Sequence, residues 1–200
     1  MNSANTSPAG DTAPLPRGGS PRPITRWGEP VMHSPCREIV SFDAELAELV
    51  ADLVATMYAA EGVGLAANQI GVSAKVFVFD CPDDDGATSR GVVCNPRLLV
   101  PEGRDRTLQD GDEGCLSLPG AFVDCPRPDF SRVEGVDQTG RSVAYEGTGL
   151  LARCLHHESD HLEGIVFGDR LATRVRKKLW KEASKVAQDY PPGWPAHQAD

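Results

Sequence analysis

The feature that most constrains this chain is a helical segment that carries two histidines four residues apart. Apolar side chains recur at helical spacing from Thr148 to about Leu162, and Gly164 closes the segment. Within this helix His157 and His161 lie about 40° apart around the axis and about 6 Å apart along it. Two imidazoles placed in this way can converge on one ion, so the segment predicts a metal-binding helix.

An acid next to the first histidine adds a chemical function to this helix. Glu158 lies on the shoulder of the same helical face, so its carboxylate can reach a water on the ion without binding the ion itself. The same pattern arises by chance in helices that carry two histidines and scattered acids. Here the apolar periodicity of the segment favours a metal site over a solvated helix.

A catalytic site of the zinc type needs a third protein ligand and an open fourth position. One metalloprotease pattern, H-E-x-x-H-x-x-G-x-x-H, adds a third histidine. Gly164 matches the glycine of this pattern, but Phe167 stands where the third histidine is required. The pattern that takes a downstream glutamate offers only Glu182, which we interpret as a surface partner of the basic residues around it. Neither metalloprotease pattern is therefore completed.

Cysteines are better candidates for the third ligand. Cys154 lies one turn before His157, but a metal between the histidines would be about 7–8 Å from it along the axis, and helical side chains lean away from that metal. A cysteine spans about 5 Å from its Cα to a metal, so we expect Cys154 to pack in the core. Cys115 lies among short strands that can carry it against the helix, but on these grounds it is one of five candidates.

The rest of the chain predicts an α+β fold. A helical pattern follows Asp43 and ends at Glu61, and a last helix runs from about Ala172 to Ala187. Strand candidates lie at 75–79, 91–94, 132–136 and 142–145, with a turn at 81–88. We therefore expect short antiparallel strands packed around a central metal-binding helix, with an N-terminal and a C-terminal helix.

Composition limits the classes of function. The chain has 200 residues, 40% of them apolar, and a net charge of −9, which argues against binding to nucleic-acid backbones or anionic lipid. No apolar run approaches a membrane span. The first 30 residues contain no apolar stretch of a signal peptide, so we expect the six cysteines to be reduced and mostly buried.

The two ends of the chain differ in composition from its middle. Residues 1–22 are rich in Ser, Pro, Gly and Ala and predict a disordered tail, with a plastid-type transit peptide as the alternative. We expect a single catalytic domain at 23–190 and a flexible C-terminal tail at 191–200.

Three motifs in sequence order resemble those of the peptide deformylase family. GVGLAANQ at 62–69 is similar to the first motif, GxGxAAxQ; EGCLS at 113–117 is similar to the second; and HESDH at 157–161 is similar to the third, HExDH. The resemblance covers roughly residues 24–185, and the EGCLS form resembles the common bacterial branch. It implies a metal-dependent amidohydrolase that removes the N-formyl group from N-formylmethionyl nascent polypeptides and releases formate.

The resemblance also implies a role for each motif residue. The metal ligands would be Cys115, His157 and His161. Glu158 would be the general base and then the general acid. The groups that bind the developing oxyanion would be Gln69 and the backbone N–H of Leu116, and the substrate-binding residues would be Val63, Gly64, Glu113 and Gly114. The sequence departs from many members at His156, where they carry glutamine; because this side chain points about 100° away from His157, we do not expect it to be a ligand.

The implied cofactor is one divalent metal ion. The family metal is ferrous iron in the cell, and a thiolate with two imidazoles also suits zinc, nickel or cobalt. The implied partners are the formylmethionyl peptide and, transiently, the ribosome through the basic stretch Arg174 to Lys181, for which a solvated helix face is an equal alternative. We expect a cytoplasmic monomer that binds neither nucleic acid directly nor membranes.

Three alternatives remain open from the residues. A metalloprotease with the same helix pattern would cleave internal peptide bonds, and a structural metal protein would have a closed site with four ligands. A deformylase fold without activity is the third, and the presence of Glu158 and Gln69 argues against it because a structural site needs neither.

Overall fold

A five-stranded antiparallel sheet separates two helices in the part of the chain that the computed structural model describes, residues 14–82 and 88–196. The helices of this part are α1 (Ala44–Ala59), α2 (Gly149–Leu162) and α3 (Thr173–Val186). The sheet has the order β1-β2-β3-β8-β9, and its strands are β1 (Gly64–Ala66), β2 (Val76–Pro82), β3 (Thr88–Leu99), β8 (Phe130–Val136) and β9 (Ser142–Thr148). The α+β prediction is confirmed.

Two short antiparallel ribbons complete the strands. One pairs β4 (Leu108–Gln109) with β7 (Arg127–Pro128), and the other pairs β5 (Asp112–Cys115) with β6 (Leu118–Asp124). The register of the second ribbon shifts between Gly114 and Cys115, which pairs with Leu118. This tight reversal carries the EGCLS residues, and α3 packs against β6.

The central strand β2 shows why the sheet holds a helix on each face. Val76 and Val78 pack in the cluster that contains the buried face of α1, while Phe77 and Phe79 pack in the cluster that contains α2. Successive side chains of a strand point to opposite faces, so an uninterrupted apolar run is suited to a strand covered on both sides.

Local signals set the helix ends. The carboxylate of Asp43 accepts hydrogen bonds from the backbone N–H groups of Glu45 and Leu46, which caps α1 at its predicted start. Beyond α2, Gly164 has a φ of 73°, and a Cβ there would lie 2.7 Å from the backbone of Ser34. Glycine is therefore required where this helix ends against the N-terminal loop.

The central helix α2 is buried along almost its whole length. Every residue from Leu151 to Leu162 is buried, including seven polar or charged ones: Arg153, His156, His157, Glu158, Ser159, Asp160 and His161. Buried charges need partners, so the surroundings of α2 must supply them. None of the described helices has both the length and the apolar character needed to cross a bilayer.

Parts of the predicted tails are packed onto the domain. Leu15 lies in the α1 core, and the backbone N–H of Ser20 donates to the carboxylate of Asp52 at 2.9 Å. At the other end, Trp194 is 6% exposed and its carbonyl accepts a hydrogen bond from Ile24. Residues 1–13 and 197–200 of these tails, and residues 83–87 of the predicted turn, lie outside the described residues.

Candidate metal centre

Three buried side chains meet at the inner end of the ribbon β5–β6. The Nε2 atom of His161 lies 3.1 Å from Nε2 of His157 and 3.3 Å from Sγ of Cys115. All three candidate ligand atoms fall within 4.8 Å of one another. Tetrahedral bonds of zinc length would place such atoms about 3.4–3.6 Å apart, so this donor set fits one metal ion with little movement.

Gln69 lies beside the thiol. Its carbonyl oxygen accepts a hydrogen bond from the N–H of Ala66 at 2.9 Å, which fixes the orientation of the amide. Its Nε2 atom then faces Cys115 Sγ at 3.6 Å and Ser117 Oγ at 3.4 Å. The side chain is 1% exposed, so its N–H groups are directed into the site and not toward solvent.

Glu158 is the unpaired acid of the site. It is 4% exposed, and its Oε2 atom has no hydrogen-bond partner among the described residues. Burial raises its pKa to about 7, and the charge of His157 opposes this shift. A Cβ at Gly64 would lie 2.6 Å from Glu158 Oε1 and 2.8 Å from Cys154 Sγ, so the glycine of β1 makes room for this carboxylate.

Glu113 faces the metal helix with its carboxylate. Its Oε1 atom lies 2.7 Å from Nδ1 of His157, and Arg127 donates one hydrogen bond to Oε1 at 2.6 Å and one to Oε2 at 2.9 Å. An ionised carboxylate can only accept, so Nδ1 of His157 carries the proton and Nε2 is left for the ion. Burial raises the pKa of Glu113, but the hydrogen bonds from Arg127 and His157 outweigh it and hold the pKa well below its usual range.

The pKa values of the two histidines are shifted in opposite directions. Burial lowers the pKa of both, but hydrogen bonds to Cys115 and Glu113 outweigh it for His157 and hold that pKa well above its usual range. The charge of His157 adds to burial in lowering the pKa of His161 well below its usual range. Both imidazoles must be neutral to bind an ion, so a cation would take the place of a proton on Nε2 of His157, while Nδ1 keeps its proton.

A cavity of about 1050 Å³ opens onto Cys115 and His157. The residues with expected roles that line it are Val63, Gly64, Gln69, Glu113, Gly114, Cys115, Leu116, His157 and Glu158. His161 lies deeper and is fully buried. The structure thus brings every residue of the three motifs with an expected role to one cavity or directly behind it.

Known proteins are similar to this chain over most of its length. The family model described as "Polypeptide deformylase" matches residues 21–177. The chain belongs to the polypeptide deformylase family. Peptide deformylase 1 of Streptomyces avermitilis is 50% identical over 173 residues, which cover 86% of this chain and 80% of that protein. Peptide deformylase 2 of Streptomyces coelicolor is 49% identical over 169 residues, 84% of this chain and 93% of that protein.

Solved deformylases share the fold. A peptide deformylase from Legionella pneumophila has a TM-score of 0.75 and 34% identity, covering 86% of this chain and all of that one. One from Synechococcus elongatus has a TM-score of 0.71 and 30% identity, covering 96% of this chain and 98% of that one. As a member of this metal-dependent family, the chain is a hydrolase that removes the formyl group from polypeptides.

Residues that sequence reasoning set aside lie outside the ligand cluster of this deformylase. Cys154 is buried with its Sγ 3.6 Å from the carbonyl of Val63, and all six cysteines are free and buried. His156 Nε2 lies 3.8 Å from Asp160, and burial lowers its pKa to about 4. Glu182 pairs with Lys185 at 2.6 Å on the surface. Within the described residues no fourth side chain joins the cluster, which leaves room for a substrate or water.

A group of buried ion pairs behind the ligands was not predicted from sequence. Arg127 is 1% exposed and bridges Glu113 to Asp160, whose carboxylate lies 2.6 Å from Nη1 of Arg127. Arg170 also binds Asp160, and Arg153 binds Glu113 at 2.9 Å. The only available signal was the aspartate of the HESDH motif, because Arg127 and Arg170 come from other segments of the chain and Arg153 lies outside the motif, nearer the start of α2.

Proposed function

We propose that this chain deformylates N-formylmethionyl nascent polypeptides with Cys115, His157 and His161 as the metal ligands. The observation that carries this proposal is the convergence of the three ligand atoms within 4.8 Å at a cavity that the unpaired Glu158 also lines. A bound ion would act as a Lewis acid toward the formyl oxygen and lower the pKa of an attacking water to about 7.

Glu158 is the proposed proton carrier. Its Oε2 atom has no protein partner in the described part of the chain, so it can accept the proton of the attacking water. The water oxygen forms a bond to the formyl carbon, and the carbon–nitrogen bond then breaks. Glu158 returns its proton to the departing amine nitrogen, which leaves formate and the free N-terminus of the peptide. The raised pKa of Glu158 suits a group that must both accept and return a proton.

The negative charge that develops on the formyl oxygen needs hydrogen-bond donors. We assign this role to Nε2 of Gln69, held by Ala66, and to the backbone N–H of Leu116 on the cavity wall. Loss of one such donor typically raises the barrier by about 3 kcal/mol. Val63 is the proposed contact for the methionine side chain, and Gly64, Glu113 and Gly114 border the same space.

The identity of the metal and the cellular setting are further proposals. The thiolate and two imidazoles accept ferrous iron, which we propose as the ion in the cell, and equally zinc, nickel or cobalt. We propose a cytoplasmic monomer that contacts the ribosome transiently through α3, whose exposed side chains include Arg174, Lys177 and Lys181. With a net charge of −9 we expect no separate binding of nucleic acid and no binding of membranes.

Formate release tests the activity, and metal analysis tests the ligands. Protein purified without oxygen is assayed with a formylmethionyl tripeptide, and its metal content is measured on the same sample. We expect formate with the wild type, and loss of both metal and formate with Cys115→Ala. The matched control is Cys94→Ala, a buried cysteine of β3 that does not line the cavity. If Cys115→Ala keeps wild-type metal affinity, the ligand assignment is wrong.

A further inference from the structure

The two histidines of the candidate metal centre are not held in the same way. Nδ1 of His157 is bound by the carboxylate of Glu113 at 2.7 Å. Nδ1 of His161 has no hydrogen-bond partner among the described residues, although this side chain is fully buried. A histidine that binds an ion is normally oriented by an acceptor for its other ring nitrogen. The orientation of His161 therefore needs a contact other than the one that holds His157.

The side chain of Asn68 makes such a contact. Its Nδ2 atom donates a hydrogen bond to the backbone carbonyl of His161 at 2.6 Å. His161 lies in the last turn of α2, where the carbonyls lack partners within the helix. The backbone N–H of Gly164 donates to the same carbonyl at 3.1 Å. Because Asn68 is fully buried, water does not compete for its bond, and the end of the helix that carries His161 is fixed.

Asn68 directly precedes the proposed oxyanion donor. Asn68 and Gln69 belong to one 3-10 turn, Ala67–Ile70, which follows β1. The amide of Gln69 is held by the N–H of Ala66 and directs its Nε2 atom toward Cys115. Neighbouring residues of this turn therefore contact two parts of the site, the metal helix through residue 68 and the thiol through residue 69. The turn connects the oxyanion donor to the helix that carries two of the candidate ligands.

Two buried polar atoms of Asn68 and His161 complement each other. Oδ1 of Asn68, like Nδ1 of His161, has no hydrogen-bond partner in the described part of the chain. Nε2 of His161 faces the other two candidate ligands, so in the neutral imidazole that binds an ion Nδ1 carries the proton. One atom is then a donor and the other an acceptor. Leaving both unpaired in a buried site is unfavourable, which favours their pairing once an ion is bound.

The family motif does not specify the residue at position 68. In GxGxAAxQ this position is open, and this chain fills it with an asparagine. An asparagine side chain offers both N–H donors and a carbonyl acceptor, whereas aliphatic side chains and proline offer neither. The contact with His161 therefore comes from a residue that this chain supplies in addition to the motif.

We propose that Asn68 is a positioning residue for the metal ligand His161. Its amide N–H fixes the carbonyl of His161, and its Oδ1 atom accepts the proton of Nδ1 when an ion is bound at Nε2. Through the 3-10 turn it also fixes the position of Gln69 relative to that ion. Asn68 thus does for His161 what Glu113 does for His157. This inference rests on the proposed function, because it takes His161 as a ligand.

The first test measures metal affinity and kinetics of Asn68→Leu, which removes both the donor and the acceptor with little change in volume. The full chain is loaded with cobalt(II), and the affinity is measured by competition with a chelator. We expect binding to weaken by about tenfold, as is typical when a partner of a metal ligand is lost. For a formylmethionyl tripeptide, kcat should fall by about tenfold with KM little changed, because the ion and Gln69 act on the transition state.

The matched control is Thr56→Val. It removes an equally buried hydrogen-bonding side chain, whose hydroxyl donates to the carbonyl of Asp52 in α1 and which does not line the cavity. We expect this variant to lower thermal stability and to leave cobalt affinity and kcat unchanged. The control therefore separates the loss of any buried hydrogen bond from the loss of the one that holds His161.

Proton NMR of the cobalt(II) protein in water is the second test. Each ligand imidazole contributes one exchangeable ring proton, whose signal the paramagnetic ion shifts away from the others. Asn68→Leu should move or broaden the signal of His161 and leave that of His157 in place. Glu113→Gln should do the reverse, which assigns the two signals. If Asn68→Leu does not fold, Asn68→Ala, which has no steric demand, is used for the same measurements.

The outcomes for the inference and for the proposed function are distinct. Unchanged cobalt affinity and an unchanged His161 signal, or effects no larger than those of Thr56→Val, would overturn the inference while wild-type formate release still supports the deformylase function. Failure of both Asn68 variants to fold would make Asn68 a residue of the fold alone and would also overturn the inference. Absence of formate from the wild type would instead overturn the proposed function.

Discussion

The two sides of α2 solve the problem of buried polar groups in different ways. On one side His157 and His161 meet Cys115 and leave room for an ion. On the other side Asp160 is bound by Arg127 and by Arg170, so its charge is compensated by the protein itself. The side of the three candidate ligands, the ligand side, needs an ion that can dissociate. The side of Asp160 and its arginines, the charged side, needs no further group once the chain has folded. The comparison predicts that changes on the first side alter chemistry and changes on the second alter stability.

The sharpest expected effect is on the ligand side. Glu158→Gln keeps the shape of the side chain but cannot carry the proton, so we expect kcat to fall by about 10²–10⁴-fold. Metal content and thermal stability should stay close to wild type, because Oε2 of Glu158 has no partner in the described residues to lose. Parallel measurement of formate release and metal content checks this. Full activity with metal bound would show that another group is the base.

A change on the charged side should act on folding. Arg127→Met leaves the buried carboxylates of Glu113 and Asp160 without their common partner, and loss of one member of a buried pair typically costs about 3–5 kcal/mol. Urea unfolding measures the free energy of unfolding. The control is Arg132→Met, whose pairs with two glutamates lie on the surface and should contribute little. Equal destabilisation by the two variants would remove the distinction between the sides of α2.

Glu113 joins the two sides, so its substitution should show a smaller, mixed effect. Glu113→Gln retains an acceptor for Nδ1 of His157 but removes the charge that orients this ligand. Loss of such a partner typically weakens metal binding by about 10–100-fold. Competition with a chelator measures the affinity, and Glu134→Gln on the surface of β8 is the control. An unchanged metal affinity would show that Glu113 acts only in the buried ion pairs and does not support His157 as a ligand.

The ligand side was predictable because its geometry is local. Two histidines four residues apart determine their own spacing on a helix, and apolar periodicity locates that helix. Cys115 could be chosen among the cysteines only through the resemblance to a family. Arg127 and Arg170 could not be predicted, because their pairing with Asp160 depends on how separate segments pack around α2. Sequence patterns describe faces of elements, but not which faces meet.

The fold shows the same limit at β3. The sequence predicted a strand at 91–94, whereas the strand runs from Thr88 to Leu99. Asn95 has a φ of 50° and is followed by a proline, a combination typical of a strand end. The strand continues because the side chain of Asn95 binds the backbone N–H and carbonyl of Ile39, and the register with β8 shifts there. A contact with a distant loop therefore overrides a local stop signal.

The N-terminal tail shows what a prediction from composition can miss. Composition predicted a disordered tail at 1–22, and the structure describes residues 14–22 of it. Residues 14–22 are poor in apolar side chains, but one of them, Leu15, reaches the core, and a Cβ at Gly19 would clash with the backbone of Ala51. A few well-placed residues can hold a segment that average composition would leave free.

The glycine of β1 also limits how this site can vary. Every amino acid other than glycine has a Cβ, and at position 64 that atom would clash with the carboxylate of Glu158 and with the thiol of Cys154. In a library of random variants, we thus expect no active variant with a substitution at position 64, even to alanine. Val63 is 37% exposed, and we expect active variants with substitutions there. A redesign of the substrate pocket therefore has to begin at Val63 and leave Gly64 unchanged.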